Sequence, residues 1–367
     1  ADVDLPGQCY GYVLRSPHAH ARIRSVDTAA AKSAPGVVLV LPGEDYEAAG
    51  FGNPPHMVPP LPNIDPEKIY KTVRPALVSD VVRLVGDAVA YVVAESLGQA
   101  KDAADLIEID YEPLAAVTTP AAATASGAVQ IWPDCPKNTS FFHEFGSKDE
   151  TEAAFAKADK IVRQEMVVNR VSPNPIENRS TVAEFDKATG RTTVYMPTQG
   201  AFAVRATLAN VYFKEPIENF RVITGNVGGS FGMKGFYPEN ILTIWAARQL
   251  ARPVKWENER QDSLISDNHG RDKIADAELA LDADGNILGL RVAVTGNLGA
   301  YLSPLGLIHT NLSLSGLIGV YRTPAAYVTV KGVFTNGHPT APYRGSGRPD
   351  ACYIIERLLD VAATESG

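Results

Sequence analysis

Apolar residues recur along this chain with two periods, alternating over short runs and at helical spacing over longer ones, which predicts a mixed α and β protein. Residues 8–15 (Gln-Cys-Tyr-Gly-Tyr-Val-Leu-Arg) predict a strand ending at Ser16-Pro17, and residues 37–41 a short buried strand. After the turn Val85-Gly86-Asp87, residues 88–94 predict a further strand, 99–106 a helix and 107–111 a strand. That βαβ-like run closes a first domain near residue 115. Residues 115–130 are small, poor in charge and weakly patterned, and predict a linker. Past Phe141 a second domain opens with a helix over 148–157 and a strand over 160–168. The expected fold class is α+β, organised as 1–115, a linker over 116–140, and 141–367.

Within the second domain one theme occurs three times. A strand over 192–196 leads into Pro197-Thr198-Gln199-Gly200 and a helix over 201–212. A strand-like run over 219–223 leads into Thr224-Gly225-Asn226-Val227-Gly228-Gly229-Ser230-Phe231-Gly232-Met233-Lys234-Gly235, then Pro238-Glu239-Asn240 and a helix over 241–250. A strand over 327–334 leads to Tyr343-Arg344-Gly345-Ser346-Gly347-Arg348-Pro349-Asp350 and an amphipathic helix with Ile354, Ile355, Leu358 and Leu359 on one face. Glycine lets another molecule approach the backbone, and proline and acidic residues suit a first helical turn. Loops at helix N-termini therefore predict an anion site with free backbone N–H groups, to which Arg344 and Arg348 add charge. For the glycine run taken alone, a tight turn without ligand is the competing reading. For Arg348 it is an ion pair with Asp350 or Glu356.

Composition changes the functional picture more than the structural one. The 367 residues, 45% hydrophobic and 21% charged, suit two domains with sizeable cores. A net charge of −8 and the lack of a long basic run argue against general nucleic-acid binding. No apolar stretch has the length of a membrane span, and Ala1-Asp2-Val3-Asp4 does not read as a secretion signal. Opening on Ala1 fits a chain processed or cut from a longer one. Cys9, Cys135 and Cys352 lie far apart with no C-x-x-C pair, which disfavours disulfides or a metal site held by this chain's cysteines and points to the cytoplasm. His18 and His20 could face one way on a strand, but without a third ligand they read as structural. The glycine run is neither a phosphate-binding loop, since Lys234 is followed by Gly235, nor a G-x-G-x-x-G dinucleotide fingerprint.

Taken in order, these segments resemble the molybdenum-binding large subunit of the xanthine oxidase, aldehyde oxidase and carbon monoxide dehydrogenase family, the molybdenum hydroxylases. The opening Asp-Leu-Pro-Gly-Gln, Val-Leu-Arg-Ser-Pro-His-Ala-His-Ala-Arg-Ile, residues 85–96 and residues 109–114 resemble that family's α/β-hammerhead domain. Residues 169–179 and the three loops resemble its first molybdopterin-binding domain, with 331–357 the most specific match. The resemblance implies a fold of hammerhead followed by cofactor domain, and hydroxylation of a C–H bond with oxygen from water. It places Gln199 beside molybdenum, and Gly228, Gly229, Ser230, Phe231 and Gly232 against the oxo group and pterin through their backbone N–H groups. It puts Arg344 on the substrate side, where it orients the bound molecule and stabilises negative charge. Arg348 supports the loop or the cofactor, and no residue ligates the metal directly.

The same resemblance implies molybdopterin, in its cytosine dinucleotide form as in bacterial members, with FAD and [2Fe-2S] clusters on partner chains. A dimer of heteromers is the assembly it suggests. Carbon monoxide oxidisers carry a cysteine in the arginine loop, which here has none, and purine oxidisers an acidic residue where Gly235 stands. An aldehyde or aromatic N-heterocycle is the expected substrate class. The family's general-base glutamate lies near the end of a much longer subunit, and Glu177, Glu184 and Glu239 do not match its position. The chain is therefore expected to be half of a catalytic unit, either a truncated chain or one part of a split subunit, and inactive by itself. The alternatives are a non-catalytic assembly subunit and a phosphate- or nucleotide-binding module.

Overall fold

The computed structural model describes residues 2–60, 64–311 and 316–366. Packing divides the chain into two units, each assembled from separate stretches of the sequence. Unit 1 gathers Ala1–Pro55, Val73–Ala116 and Pro173–Asp267, and unit 2 gathers His56–Thr72, Val117–Ser172 and Asn268–Gly367.

Unit 1 is built on a seven-stranded mixed sheet. Its strands run in the order Phe220–Ile223, Arg191–Tyr195, Ser180–Asp186, Val254–Glu257, Cys9–Arg15, Ala88–Ala94 and Val37–Pro42. Ala88–Ala94 is buried at every position, as an unbroken apolar run should be when both faces are covered. Helix Pro238–Leu250 packs on Ser180–Asp186 and Val254–Glu257, and helix Leu97–Ala104 on Cys9–Arg15 and Ala88–Ala94. The Tyr91 hydroxyl, buried in the sheet, meets the Thr243 hydroxyl of the first helix at 3.0 Å. Gly11 makes room for that ring, since a Cβ there would fall 1.8 Å from the Tyr91 oxygen. A smaller sheet joins Val81–Val82, Ala21–Asp27 and Glu108–Pro113.

Why the units interleave follows from one register. Cys9–Arg15, expected in a separate first domain, pairs in parallel with Val254–Glu257, with Cys9 opposite Val254 and Gly11 opposite Trp256. Parallel strands must be joined by a crossover, and this one takes in most of the chain.

Unit 2 holds a five-stranded sheet in the order Thr139–Gly146, Ala325–Phe334, Ile287–Gly299, Lys273–Leu281 and Lys160–Val168. Only Ile287–Gly299 and Ala325–Phe334 run parallel. Helix Arg348–Ser366 covers Lys160–Val168 and Lys273–Leu281, burying Ile354, Ile355 and Leu358. The segment expected as a linker is part of this unit's packing. Thr119 caps a helix over Pro120–Thr124, and the fully buried Asn138 bonds the backbone of Ile131, Ala123 and Val129 at 2.8 to 2.9 Å. Small side chains read as flexible in sequence, but they also allow close approach to a sheet. In the Pro-rich run 51–63, residues 61–63 lie outside the described residues; Met57 N–H donates to Pro304 and His56 Nε2 meets Leu302 O at 3.0 Å. His18 and His20 sit in the loop after the first strand, not on a strand. The His20 Nδ1 lies 2.6 Å from Ala115 O and the His18 ring packs on Tyr111, so both are structural.

Candidate cofactor and substrate loops

In unit 1 the first two of the three loops come together. Gln199 N–H donates to Lys234 O at 2.9 Å, and Thr198 Oγ1 to the same oxygen at 3.2 Å. The Gln199 side chain is fixed through its oxygen: Oε1 accepts from Ser230 Oγ at 2.5 Å and from Gly232 N–H at 3.1 Å. Ser230 Oγ in turn accepts Lys234 N–H at 3.0 Å, so its proton is committed to Gln199. Two acceptor bonds on Oε1 define which end of the amide is oxygen. Gln199 is exposed, and its Nε2 carries two donors that these bonds do not use.

The glycine loop reverses twice, with φ of +92° at Gly229, +54° at Phe231 and +104° at Gly232. Glycine takes this region freely, whereas Phe231 holds a conformation that costs about 1–3 kcal/mol and leaves its ring 40% exposed. At Gly225 and Gly235 a Cβ would meet nothing within 4 Å, so bare backbone faces open space. Much of the loop's N–H capacity is used internally, contrary to the expectation of a wholly free cradle. Gly228 N–H donates to Glu177 Oε2 at 2.7 Å, Gly229 to Val227 O at 2.9 Å, and Gly232 to Gln199.

Glu177 is the residue that sequence reasoning set aside. Its Oε2 accepts Gly228 N–H and also Lys234 Nζ at 2.7 Å, while its own N–H donates to Gly228 O at 3.1 Å. Lys234 is 1% exposed. Burial raises the Glu177 carboxyl, but the hydrogen bonds from Lys234 and Gly228 outweigh it and hold the group below its ordinary range. A buried lysine calls for an acid, but neither the burial of Lys234 nor its pairing with an acid 57 positions away is marked in the sequence.

In the following helix the first-turn Asn240 N–H is used internally, donating to Tyr237 O at 3.0 Å. Pro238 opens it, Asn240 Oδ1 accepts Tyr237 N–H at 2.8 Å, and Asn240 Nδ2 donates to Thr181. Its first turn contains Glu239, 2% exposed and ringed by Arg15 at 3.3 Å, Arg179 at 3.5 Å and Arg74 at 3.8 Å. Burial alone would raise this carboxyl; the three arginines hold it down at about 2. Arg179 also bonds Asp267 at 2.6 Å and stacks on Tyr237 with its guanidinium 3.9 Å from the ring centre. An internal carboxylate thus occupies the place the sequence suggested for a bound anion.

The third loop lies in unit 2. Gly345, Ser346 and Gly347 all have positive φ, and Ser346 N–H closes a turn onto Tyr343 O at 2.8 Å. Arg344 and Arg348 are exposed. Neither ion pair weighed for Arg348 forms: Asp350 is buried against Lys273 at 2.8 Å and Arg271 at 3.1 Å, and Glu356 accepts the Tyr321 hydroxyl. Among the described residues the Arg348 side chain reaches only Gly345 O, at 3.5 Å.

Two family models match most of this α+β chain. The family model for the molybdopterin cofactor-binding domain covers residues 131–367, and the model for the aldehyde oxidase and xanthine dehydrogenase a/b hammerhead domain covers residues 1–115. The chain belongs to this molybdenum hydroxylase family. It is 34% identical to the 6-hydroxypseudooxynicotine dehydrogenase complex subunit gamma of Paenarthrobacter nicotinovorans, over 100% of this chain and 45% of that protein. It is also 34% identical to the carbon monoxide dehydrogenase large chain of Hydrogenophaga pseudoflava, over 99% of this chain and 46% of that one. The solved structure of quinoline 2-oxidoreductase from Pseudomonas putida 86 superposes with a TM-score of 0.90 at 33% identity, covering 100% of this chain and 46% of that chain. The chain thus spans less than half the length of these relatives.

Proposed function

We propose that this chain forms the cofactor-holding part of a hydroxylase for an aromatic N-heterocycle or an aldehyde. The observation that carries the reading is the exposed Gln199, whose amide oxygen is locked by Ser230 and Gly232, which leaves its N–H donors for another partner in a glycine-rich loop. Donors without charge, next to glycines that no Cβ shields, fit a molybdopterin whose oxo group accepts hydrogen bonds. When bound, the cofactor supplies the molybdenum centre for hydroxylation with oxygen from water.

The chain's own residues hold and orient. Gln199 donates from Nε2, residues 228–232 line the cofactor with glycine backbone and the Phe231 ring, and the pair Glu177 and Lys234 keeps that loop in place. Arg344 faces the substrate and stabilises negative charge as it develops, and Arg348 supports the loop or cofactor. The general base comes from a second half of the molybdenum subunit, outside this chain. Ile176, 95% exposed, and Phe202, 87% exposed, flank Glu177 and Gln199 in sequence and are apolar surface for that half to cover. The cytosine dinucleotide form of the cofactor, [2Fe-2S] and FAD partner subunits, a dimer of heteromers and a cytoplasmic location complete the proposal. Among the described residues no helix is long and apolar enough to cross a membrane.

The relatives named for quinoline and 6-hydroxypseudooxynicotine favour the heterocycle. The lack of cysteine in residues 343–348 speaks against carbon monoxide. A nucleotide-binding module unrelated to redox chemistry is disfavoured because Lys234 is followed by Gly235 and the glycine spacing is not G-x-G-x-x-G. The test is turnover of a quinoline-class substrate in isotopically labelled water by the assembled complex. Label in the hydroxylated product is expected, and label taken from dioxygen instead would contradict the reading.

A further inference from the structure

The arginine loop is gripped by a residue outside every motif described above. Arg271 uses its whole guanidinium on this loop and the helix behind it. Nη1 donates to Tyr343 O at 2.9 Å, Nη2 to Arg344 O at 2.7 Å, and Nε faces Asp350 Oδ1 at 3.1 Å. The carbonyls on both sides of the Tyr343 to Arg344 peptide step are therefore tied to one rigid, planar group. The guanidinium carbon also lies 5.2 Å from the Tyr343 ring centre.

The backbone that presents Arg271 is unusual. Arg271 and Asp272 are consecutive non-glycine residues in the left-handed region, at φ +65° and +62°. Such strain persists only where the surroundings over-determine it. Here Asp272 Oδ2 accepts from Arg170 Nε at 2.6 Å and from Asn297 Nδ2 at 3.0 Å, and Asp272 O accepts Asn297 N–H at 3.0 Å. His309 Nε2 lies 3.2 Å from Arg271 O. Just before the reversal, Gly270 lets the chain lie against the loop, since a Cβ there would fall 2.4 Å from Tyr343 Cβ.

We propose that Arg271 is a positioning residue: by fixing the carbonyls of Tyr343 and Arg344 it sets the direction in which the Arg344 side chain is offered to substrate. This rests on the reading of Arg344 as substrate-facing. The alternative, that Arg271 merely stabilises the helix through Asp350, is separable by experiment, because a lysine keeps the charge beside Asp350 and cannot bridge two carbonyls.

The test compares Arg271→Lys, Arg344→Ala, the double variant and Asp350→Asn in the assembled complex. In Arg271→Lys, molybdenum content and thermal midpoint should stay near wild type, while exchange of the Ser346 amide accelerates and kcat/KM falls about 10- to 100-fold, mainly in kcat. Arg271→Lys on the Arg344→Ala background should lower the rate no further, the non-additivity expected of a residue acting through another. Asp350→Asn should destabilise the helix with a smaller loss of rate. A full extra loss in the double variant, or an equal loss in Asp350→Asn, would overturn the positioning role. An unchanged rate in Arg344→Ala would instead remove the reading of Arg344 on which it rests.

Discussion

The two units solve one problem differently. Each carries a glycine-containing loop followed by a helix, and in each helix the first turn holds a buried acid, Glu239 in Pro238–Leu250 and Asp350 in Arg348–Ser366. Both acids are neutralised by neighbouring cations, Arg15, Arg74 and the buried Arg179 in the first case, Arg271 and the buried Lys273 in the second. In unit 1 the clamp on the helix and the clamp on the loop are separate, the latter being Glu177 with Lys234. In unit 2 Arg271 does both, holding the helix acid and the loop carbonyls at once. The glycine loop can thus be loosened without its helix, whereas the arginine loop and its helix share one anchor.

The sharpest way to break this comparison is Glu239→Gln. It leaves three arginines facing a neutral group in a buried site, and unit 1 should lose about 3–5 kcal/mol in urea titration. The same carboxyl predicts an acid limb. Its folded pKa of about 2 lies below the ordinary 4.5, so its contribution is complete above pH 4.5 and is lost as pH falls toward 2. That contribution is about 3 kcal/mol, and urea midpoints followed between those pH values should drop in wild type more steeply than in Glu239→Gln. Lys234→Met tests the separation itself. It should cost about 1–3 kcal/mol and speed amide exchange over residues 225–235, with protection in Pro238–Leu250 unchanged. If both segments loosen together, the two clamps are not independent. The smallest effect belongs to Arg348→Gln, whose one internal contact is a marginal 3.5 Å bond; the stability change should stay within about 0.5 kcal/mol by thermal melting.

Local structure was more legible in the sequence than the way it is assembled. The run of apolar residues located Ala88–Ala94, and local patterning located Lys160–Val168 and the helix beginning at Arg348, because what each buries is defined by its own residues. The hairpin of Lys273–Leu281 and Ile287–Gly299 went unassigned, although its inward positions alternate over much of its length. The parallel pairing of Cys9–Arg15 with Val254–Glu257 could not be read, since register between strands so far apart leaves no local trace. Of the candidate site, the glycine loop is legible in its own residues and the role of Gln199 only through resemblance; their contact appears in the structure, but its supports are not legible in the sequence. Glu177 looked like any loop carboxylate and Arg271 like any surface arginine, and their roles come from hydrogen bonds that the fold creates.

The most direct test of the central claim, that the Gln199 and glycine loops hold a molybdenum cofactor clamped by Glu177 and Lys234, is metal analysis of the complex captured through a tag on this chain, wild type beside Lys234→Met. The account predicts molybdenum equimolar with the wild-type chain and depleted in the variant, with iron equal in both. A wild-type complex that carries iron but no molybdenum, as an assembly subunit would give, contradicts it.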